Sequence, residues 1–403
     1  MIGVTGNYYL AVSFGSNVIP LEPSQIRELT IIQDINKLVP EFRLRIADST
    51  GIFTHLLPFD RNMSRVIISC DNSIQGKNIQ NYLFDVYRRT PVSEGSLVGE
   101  YDIFGLLASP FVSEKVGVFS PLISKSYNQS IDSTIREVGE SMGITKFNLS
   151  GKLTSVMTLI QANWTNAQFL QYLCDNLEGD DLVSNYRCWI SMQGVYPTLN
   201  FLSYDELLGA PLRASYVFGD QNFENVVAVQ NYEIIDNYKY LQTLGTKQQR
   251  YIYFDYDSSE WVQPALELGN MLSLSEYYMV DQNDDDGSGN SLDLQYTSTG
   301  RTNAFTQTFY GKVYSLYESR LNNLTKIWIT TVGDFTLRPG HVVQLEVPQN
   351  PNNSFQYQYS GYWLVERIVL SFDYTIRMKL LLTRSGVNTS SKTTLVPATY
   401  RRT

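Results

Sequence analysis

The chain has 403 residues, 43% apolar and 18% charged, with a formal net charge of −9; this is a globular balance, neither disordered nor membranous, with room for roughly two to four domains. No stretch approaches the ~20 apolar residues of a membrane helix, the start from Met1 to Gly6 lacks the basic and apolar regions of a signal peptide, and no Lys/Arg run is dense enough to track a phosphate backbone. Only His55 and His341 carry imidazole, and Cys70, Cys174 and Cys188 show no CxxC spacing, which argues against zinc sites and His-dependent catalysis and reads the thiols as buried and reduced.

The first 120 residues read as short strands. In Phe42-Arg43-Leu44-Arg45-Ile46 apolar and basic residues alternate, placing Phe42, Leu44 and Ile46 on one face of a half-buried strand. Leu29 to Ile32, Arg65 to Cys70, Tyr82 to Tyr87 and Tyr101 to Leu107 complete a set spaced for a small barrel or sandwich, bounded by turn residues such as Asp71-Asn72-Ser73 and Gln75-Gly76-Lys77. Helical spacing follows. Ile131, Ile135, Val138 and Met142 predict a helix capped by Ser130 and stopped at Gly143. Phe169, Leu170, Leu173 and Leu177 predict a second, from Asn166, with Thr165 as cap and Gly179 beyond its end. Strands around Cys188 to Ile190 and Thr198 to Leu202 supply a sheet for the helices to dock on, an α+β module.

Strand character returns from Val226 to Tyr240. Residues 246–304 are harder to read and contain the polar run Asp281 to Asn290. A helix is expected to carry Phe305, Phe309, Val313, Leu316 and Leu321. Strands then follow at Lys326 to Thr331, His341 to Val347, Tyr362 to Leu370 and Arg377 to Leu382, the last with Met378, Leu380 and Leu382 facing inward. The tail from Ser385 reads as an arm ordered by partners.

A weak repeat organises these elements. The turn Asp60-Arg61-Asn62 leads into the strand at Val66, then come the strands at Tyr82 and Tyr101. Arg338-Pro339-Gly340 leads into Val342, then come the strands at Tyr362 and Ile376. The expected fold is mainly β with α+β insertions: two similar small β-barrels plus two inserted or auxiliary domains. The first barrel occupies 1–120, the α+β domain 121–210, the second barrel 211–245 and 305–385, an inserted domain 246–304, and a C-terminal arm 386–403.

Several segments together resemble the central hub proteins of contractile phage tails, a group that takes in the T-even baseplate hub, the Mu-like tail hub, late-control tail proteins and the hub portion of type VI secretion spikes. They are Thr331-Val332-Gly333-Asp334-Phe335-Thr336-Leu337-Arg338-Pro339-Gly340, Ser360-Gly361-Tyr362-Trp363-Leu364-Val365, Met378 to Arg384, Asn166 to Leu173 and Pro40 to Asp48. Their order along the chain, more than any one of them, carries the resemblance. It covers nearly the whole chain, and no spike or lysozyme domain is appended. The resemblance implies a homotrimer whose paired barrels make a pseudo-hexameric ring, fitting a sixfold tail-tube protein on one side and a separate trimeric spike protein on the other. Surrounding baseplate proteins would be further partners, DNA would transit the lumen without being a specific ligand, and the chain would reside in the virion after folding in the host cytoplasm. Gly333, Leu337, Arg338, Pro339, Gly340, Tyr362, Trp363, Phe169 and Leu170 become structural or interface candidates.

No catalytic residue, cofactor or metal is expected. Asp281-Gln282-Asn283-Asp284-Asp285-Asp286-Gly287 suggests calcium, but the EF-hand spacing fails from Asp281 and from Asn283, which favours a solvated acidic loop. His341 follows a Pro-Gly turn with no nucleophile indicated nearby and reads as structural. Asp255, Asp257 and Glu260 could do acid/base work on a glycan, but acidic residues this close on a polar surface are ordinary. The alternatives to a hub are a tail-associated cell-wall hydrolase and a peripheral receptor- or carbohydrate-binding baseplate protein, the latter weakly supported by 28 tyrosines.

Overall fold

A computed structural model describes residues 8–14, 17–48, 65–71, 79–93, 99–107, 121–180, 185–193, 196–218, 226–236, 249–255, 259–262, 291–295, 325–346, 359–372 and 376–384. The turn at Asp60, the helix expected around Phe305, the run Asp281 to Asn290 and the C-terminal arm lie outside these residues.

The chain opens with seven strands: β1 (Tyr8–Phe14), β2 (Asn17–Pro20), β3 (Ile26–Asp34), β4 (Glu41–Asp48), β5 (Arg65–Asp71), β6 (Ile79–Ser93) and β7 (Gly99–Leu107). Alternation accounts for their burial: Phe42, Leu44 and Ile46 are buried while Arg43 and Arg45 stay half-exposed. They are ordered β3-β4-β7-β6-β5-β1-β2.

An α+β unit follows. It holds β8 (Ile123–Ser130), α1 (Ile131–Ser141), β9 (Lys146–Leu149), β10 (Val156–Trp164), α2 (Asn166–Asn176), β11 (Tyr186–Gln193), β12 (Tyr196–Ser203) and α3 (Tyr204–Leu208). Side-chain caps start the helices. Ser130 accepts from the Ser133 N–H, and Thr165 and Gln168 form a reciprocal capping box, worth about 1 kcal/mol for each cap. The apolar stripe of α2 packs inward, with Phe169 stacked on Tyr127 at 5.5 Å between ring centres. β9, β12 and β11 form one small sheet, β8 and β10 another.

The remaining strands are β13 (Leu212–Phe218), β14 (Val226–Val229), β15 (Asn231–Asp236), β16 (Gln249–Asp255), β17 (Glu260–Val262), β18 (Ser291–Gln295), β19 (Thr325–Val332), β20 (Val342–Glu346), β21 (Gly361–Phe372) and β22 (Ile376–Arg384). β16, β17 and β18 form a separate sheet between β15 and β19 in sequence. The others copy the first seven strands. β13, β14, β15, β19, β20, β21 and β22 pair with one another as β1, β2, β3, β4, β5, β6 and β7 do, strand for strand. Registers agree as well. Val66 lies opposite Phe84 as Val343 lies opposite Trp363, and Leu44 opposite Ile103 as Ile329 opposite Leu380. An extra residue interrupts β6 against β7 between Val86 and Arg88, and another interrupts β21 against β22 between Val365 and Arg367. A shared β-bulge position is a specific feature of strand geometry. The difference lies in β13, which runs parallel to its neighbours where β1 runs antiparallel.

The mainly β fold with two similar units agrees with the expectation. The ladders form one 14-stranded sheet, because β3 at the edge of the first copy pairs antiparallel with β21 of the second, Leu29 opposite Phe372 through Asp34 opposite Arg367. No closed barrel ladder is found among the described residues. An edge strand placed beside another edge satisfies its backbone groups by pairing, which extends the sheet. One apolar core runs through both copies and the α+β unit.

Candidate assembly interface

The predicted residues fall into three places. Leu337, Trp363, Phe169 and Leu170 are buried. Phe169 and Leu170 contribute their apolar surface to the α+β core, away from the Pro-Gly turn. Trp363 lies beneath Arg384, whose guanidinium carbon sits 4.1 Å from the ring centre, and its Nε1–H donates to the Tyr359 carbonyl at 3.0 Å. Arg384 is itself buried and donates to the Ser360 carbonyl at 3.0 Å, so a charge inside the core is held by a carbonyl and a ring face. Tyr362 is half-buried on β21, opposite Gln344.

The second place is the end of β19. Gly333 donates its N–H to the Ile376 carbonyl at 3.0 Å, and a β-carbon there would sit 2.5 Å from the Ile376 Cγ2, so the close approach needs glycine.

The third place is the turn Arg338-Pro339-Gly340, where the second copy meets the α+β unit. Gly340 has φ +87, in the left-handed region, and donates its N–H to the Val365 carbonyl at 2.8 Å. A β-carbon on it would come 2.8 Å from Cζ2 of Trp189. Trp189, Tyr204 and Leu207 of the α+β unit gather there with Ile35 from the β3–β4 turn and Leu364 of β21 as a small second core. Backbone bonds reinforce it: Ile35 N–H to the Glu366 carbonyl at 3.0 Å and Ile190 N–H to the Leu38 carbonyl at 2.7 Å. His341 accepts the Arg338 N–H on Nδ1 at 3.1 Å, which fixes the neutral tautomer with its proton on Nε2. Burial, with Arg213 and Arg338 nearby, lowers its pKa to about 4. Burial also lowers the pKa of Arg338. This imidazole is a structural acceptor.

The residues that sequence reading missed line the seam between the two copies. Arg367 Nε meets Asp34 Oδ2 at 2.6 Å, and Lys326 Nζ meets Glu366 Oε2 at 2.7 Å. Asn36 Nδ2 donates to Glu366 Oε1 at 3.1 Å. Asp34 and Glu366 are nearly inaccessible, so both carboxylates depend on these partners. Glu366-Arg367 interrupting the apolar run from Tyr362 to Leu370 was the available signal: charges inside a buried strand call for partners on a neighbouring one.

Among the described residues no group of three or more His, Cys, Asp and Glu side chains is placed to hold a metal ion. No helix of the described residues is long and apolar enough to cross a membrane. Asp255 and Glu260 stand opposite each other on β16 and β17, and Asp257 lies outside the described residues.

No protein-family profile matches the sequence, and no curated protein matches it either. Solved structures do match in fold, among them phage tail proteins and a type VI secretion component. A tail protein from Neisseria meningitidis MC58 aligns with a TM-score of 0.55 at 9% identity, over 94% of this chain and 98% of that one. The 43 kDa tail protein of prophage MuSo2 from Shewanella oneidensis gives 0.54 at 10% identity, over 94% and 97%. An Escherichia coli component of the type VI secretion system, described as structurally similar to bacteriophage T4 tail proteins, gives 0.50 at 8% identity, over 93% of this chain and 76% of that one.

Proposed function

We propose that this chain is the central hub of a phage tail baseplate, a non-enzymatic homotrimer residing in the virion. Three subunits with two copies of the seven-stranded unit each would present a pseudo-sixfold ring to the tail tube and a threefold face to a separate spike, with DNA passing through the lumen. The domain division 1–120, 121–210, 211–245 with 305–385, and 246–304 belongs to the same proposal: the first and third pieces form the ring, and the others widen it toward the spike and the surrounding baseplate proteins.

The observation that carries this reading is the internal copy, with its shared strand order, registers and bulge, joined edge to edge within one chain. A duplicated unit with a built-in lateral contact is what a threefold assembly needs to match sixfold symmetry, because a repeated heterologous contact either closes into a ring or runs on as a filament. The tail-protein folds above support it. The test is mass in solution by light scattering, alone and with a candidate spike protein. A species of three 46.0 kDa chains, binding three spike chains, is the expected result; a monomer at all concentrations would refute the hub reading.

A further inference from the structure

We propose that Cys174 and Cys188 are a latent disulfide: reduced thiols in the folded chain that a small disulfide oxidant, such as oxidised glutathione, converts to a covalent tie between α2 and β11. The inference goes beyond the hub reading and does not depend on it, since it concerns one unit of a single chain.

Two different periods bring the pair together. On α2 the helical stripe places Leu173, Cys174 and Leu177 in the large core. On β11 the alternating Tyr186, Cys188 and Ile190 enter that same core, while Trp189 between them belongs to the small core at Gly340. α2 packs on β11, and the Cys174 thiol comes within hydrogen-bonding reach of Cys188. Both cysteines are buried and free. One buried cysteine is simply a small hydrophobe. Two thiols meeting across a helix–strand interface are the arrangement a disulfide needs, with the sulfurs left to close to about 2.05 Å. The third cysteine, Cys70, lies on β5 of the first copy, outside this unit.

Burial sets the rate. It is the main reason the Cys188 pKa is raised, and the neighbouring Cys174 thiol adds to the effect. The thiolate is the attacking species, so the closed centre reacts slowly and reaction passes through opening of α2. Cys174 lies in the last turn of that helix, where local opening costs least. Just beyond it Glu178 is buried with Oε2 lacking a partner among the described residues, a cost that opening relieves. Once exposed, the Cys174 thiolate attacks one sulfur of oxidised glutathione, forming a mixed disulfide and releasing one glutathione thiolate. Cys188 then gives up its proton, attacks the Cys174 sulfur and expels the second glutathione. Two protein thiols become one disulfide, and one oxidised glutathione becomes two reduced ones. The bond closes the loop from Cys174 to Cys188 and restricts the unfolded chain.

The purified chain is incubated with excess oxidised glutathione, in native buffer and in urea just below the unfolding transition. It is then unfolded with a maleimide, which blocks remaining thiols, and digested with trypsin. Arg187 directly precedes Cys188, so the two cysteines fall in separate peptides, Leu153 to Arg187 and Cys188 to Arg213. The expected result is these two peptides joined by a bond that a reductant breaks, forming faster in the urea arm. The melting temperature of the oxidised chain should rise by about 5 °C and return on reduction. Cys174→Ala and Cys188→Ser should each lack the joined peptides and the rise. Both cysteines blocked by maleimide or capped by glutathione in both arms would overturn the proposal, as would a bond from either one to Cys70. These readouts come from the wild-type chain, so they stand even if a variant fails to fold.

Discussion

Gly340 joins local backbone chemistry to long-range packing. Its left-handed torsion disfavours any β-carbon, and the space a methyl would occupy belongs to Trp189 of another unit. Gly340→Ala should therefore cost about 2–4 kcal/mol, combining torsional strain with overpacking of a formed core. Urea unfolding monitored by tryptophan fluorescence measures it, and a loss below 1 kcal/mol would show the turn yielding to the side chain. The adjacent His341 gives a pH signature. Its pKa is about 4 in the fold and ~6.5 unfolded, so above about pH 6.5 both states hold it neutral and it adds no pH dependence. As pH falls from about 6.5 toward 4 the unfolded chain takes up the proton first, and stability drops. His341→Asn, which can keep an acceptor near Nδ1, should flatten this part of the stability–pH curve. An identical slope in the variant would assign the acid sensitivity to other groups.

At the scale of elements, the strands and helices follow their local signals while the partners of the strands do not. The alternation in β4 and β22 and the caps at Ser130 and Thr165 were legible because each is a contact or period within a few residues. The β3–β21 seam joins Asp34 to Arg367 across the length of the chain, and no local pattern encodes a register at that separation. The reversed direction of β13 is equally silent in sequence, since alternation reads the same both ways. Of the site, the Gly340 turn was legible from Pro-Gly chemistry. The apolar spacing of Phe169 and Leu170 showed only that they are covered, and the covering surface is their own core. The seam's polar cluster gives a prediction at this scale. Lys326→Ala strips the nearly inaccessible Glu366 of its cation, leaving Asn36 as a remaining donor; a loss of about 3 kcal/mol is expected. Pairing Lys326→Met with Glu366→Gln removes both charges and should recover most of it. A double variant as unstable as the single one would mean that shape, and not the stranded carboxylate, sets the cost.

At the scale of the molecule, the second copy differs from the first, besides the direction of β13, by what separates its third and fourth strands. In the first copy a short turn joins β3 to β4; in the second the corresponding gap runs from Asp236 to Thr325, which lie opposite each other at the end of their ladder. Matching registers equate that gap with residues 34–39. The sheet of β16, β17 and β18 pairs with no strand of the 14-stranded sheet among the described residues, so the ladders of the copy do not depend on it for hydrogen bonds. Replacing residues 237–324 with a polar turn of the length of residues 34–39 should thus leave both copies folded, with strand-type circular dichroism and the same number of subunits by light scattering as the full chain. Retained fold with lost assembly would locate the subunit contact in the inserted segment. Loss of fold would show that the second copy, unlike the first, needs its insertion to form.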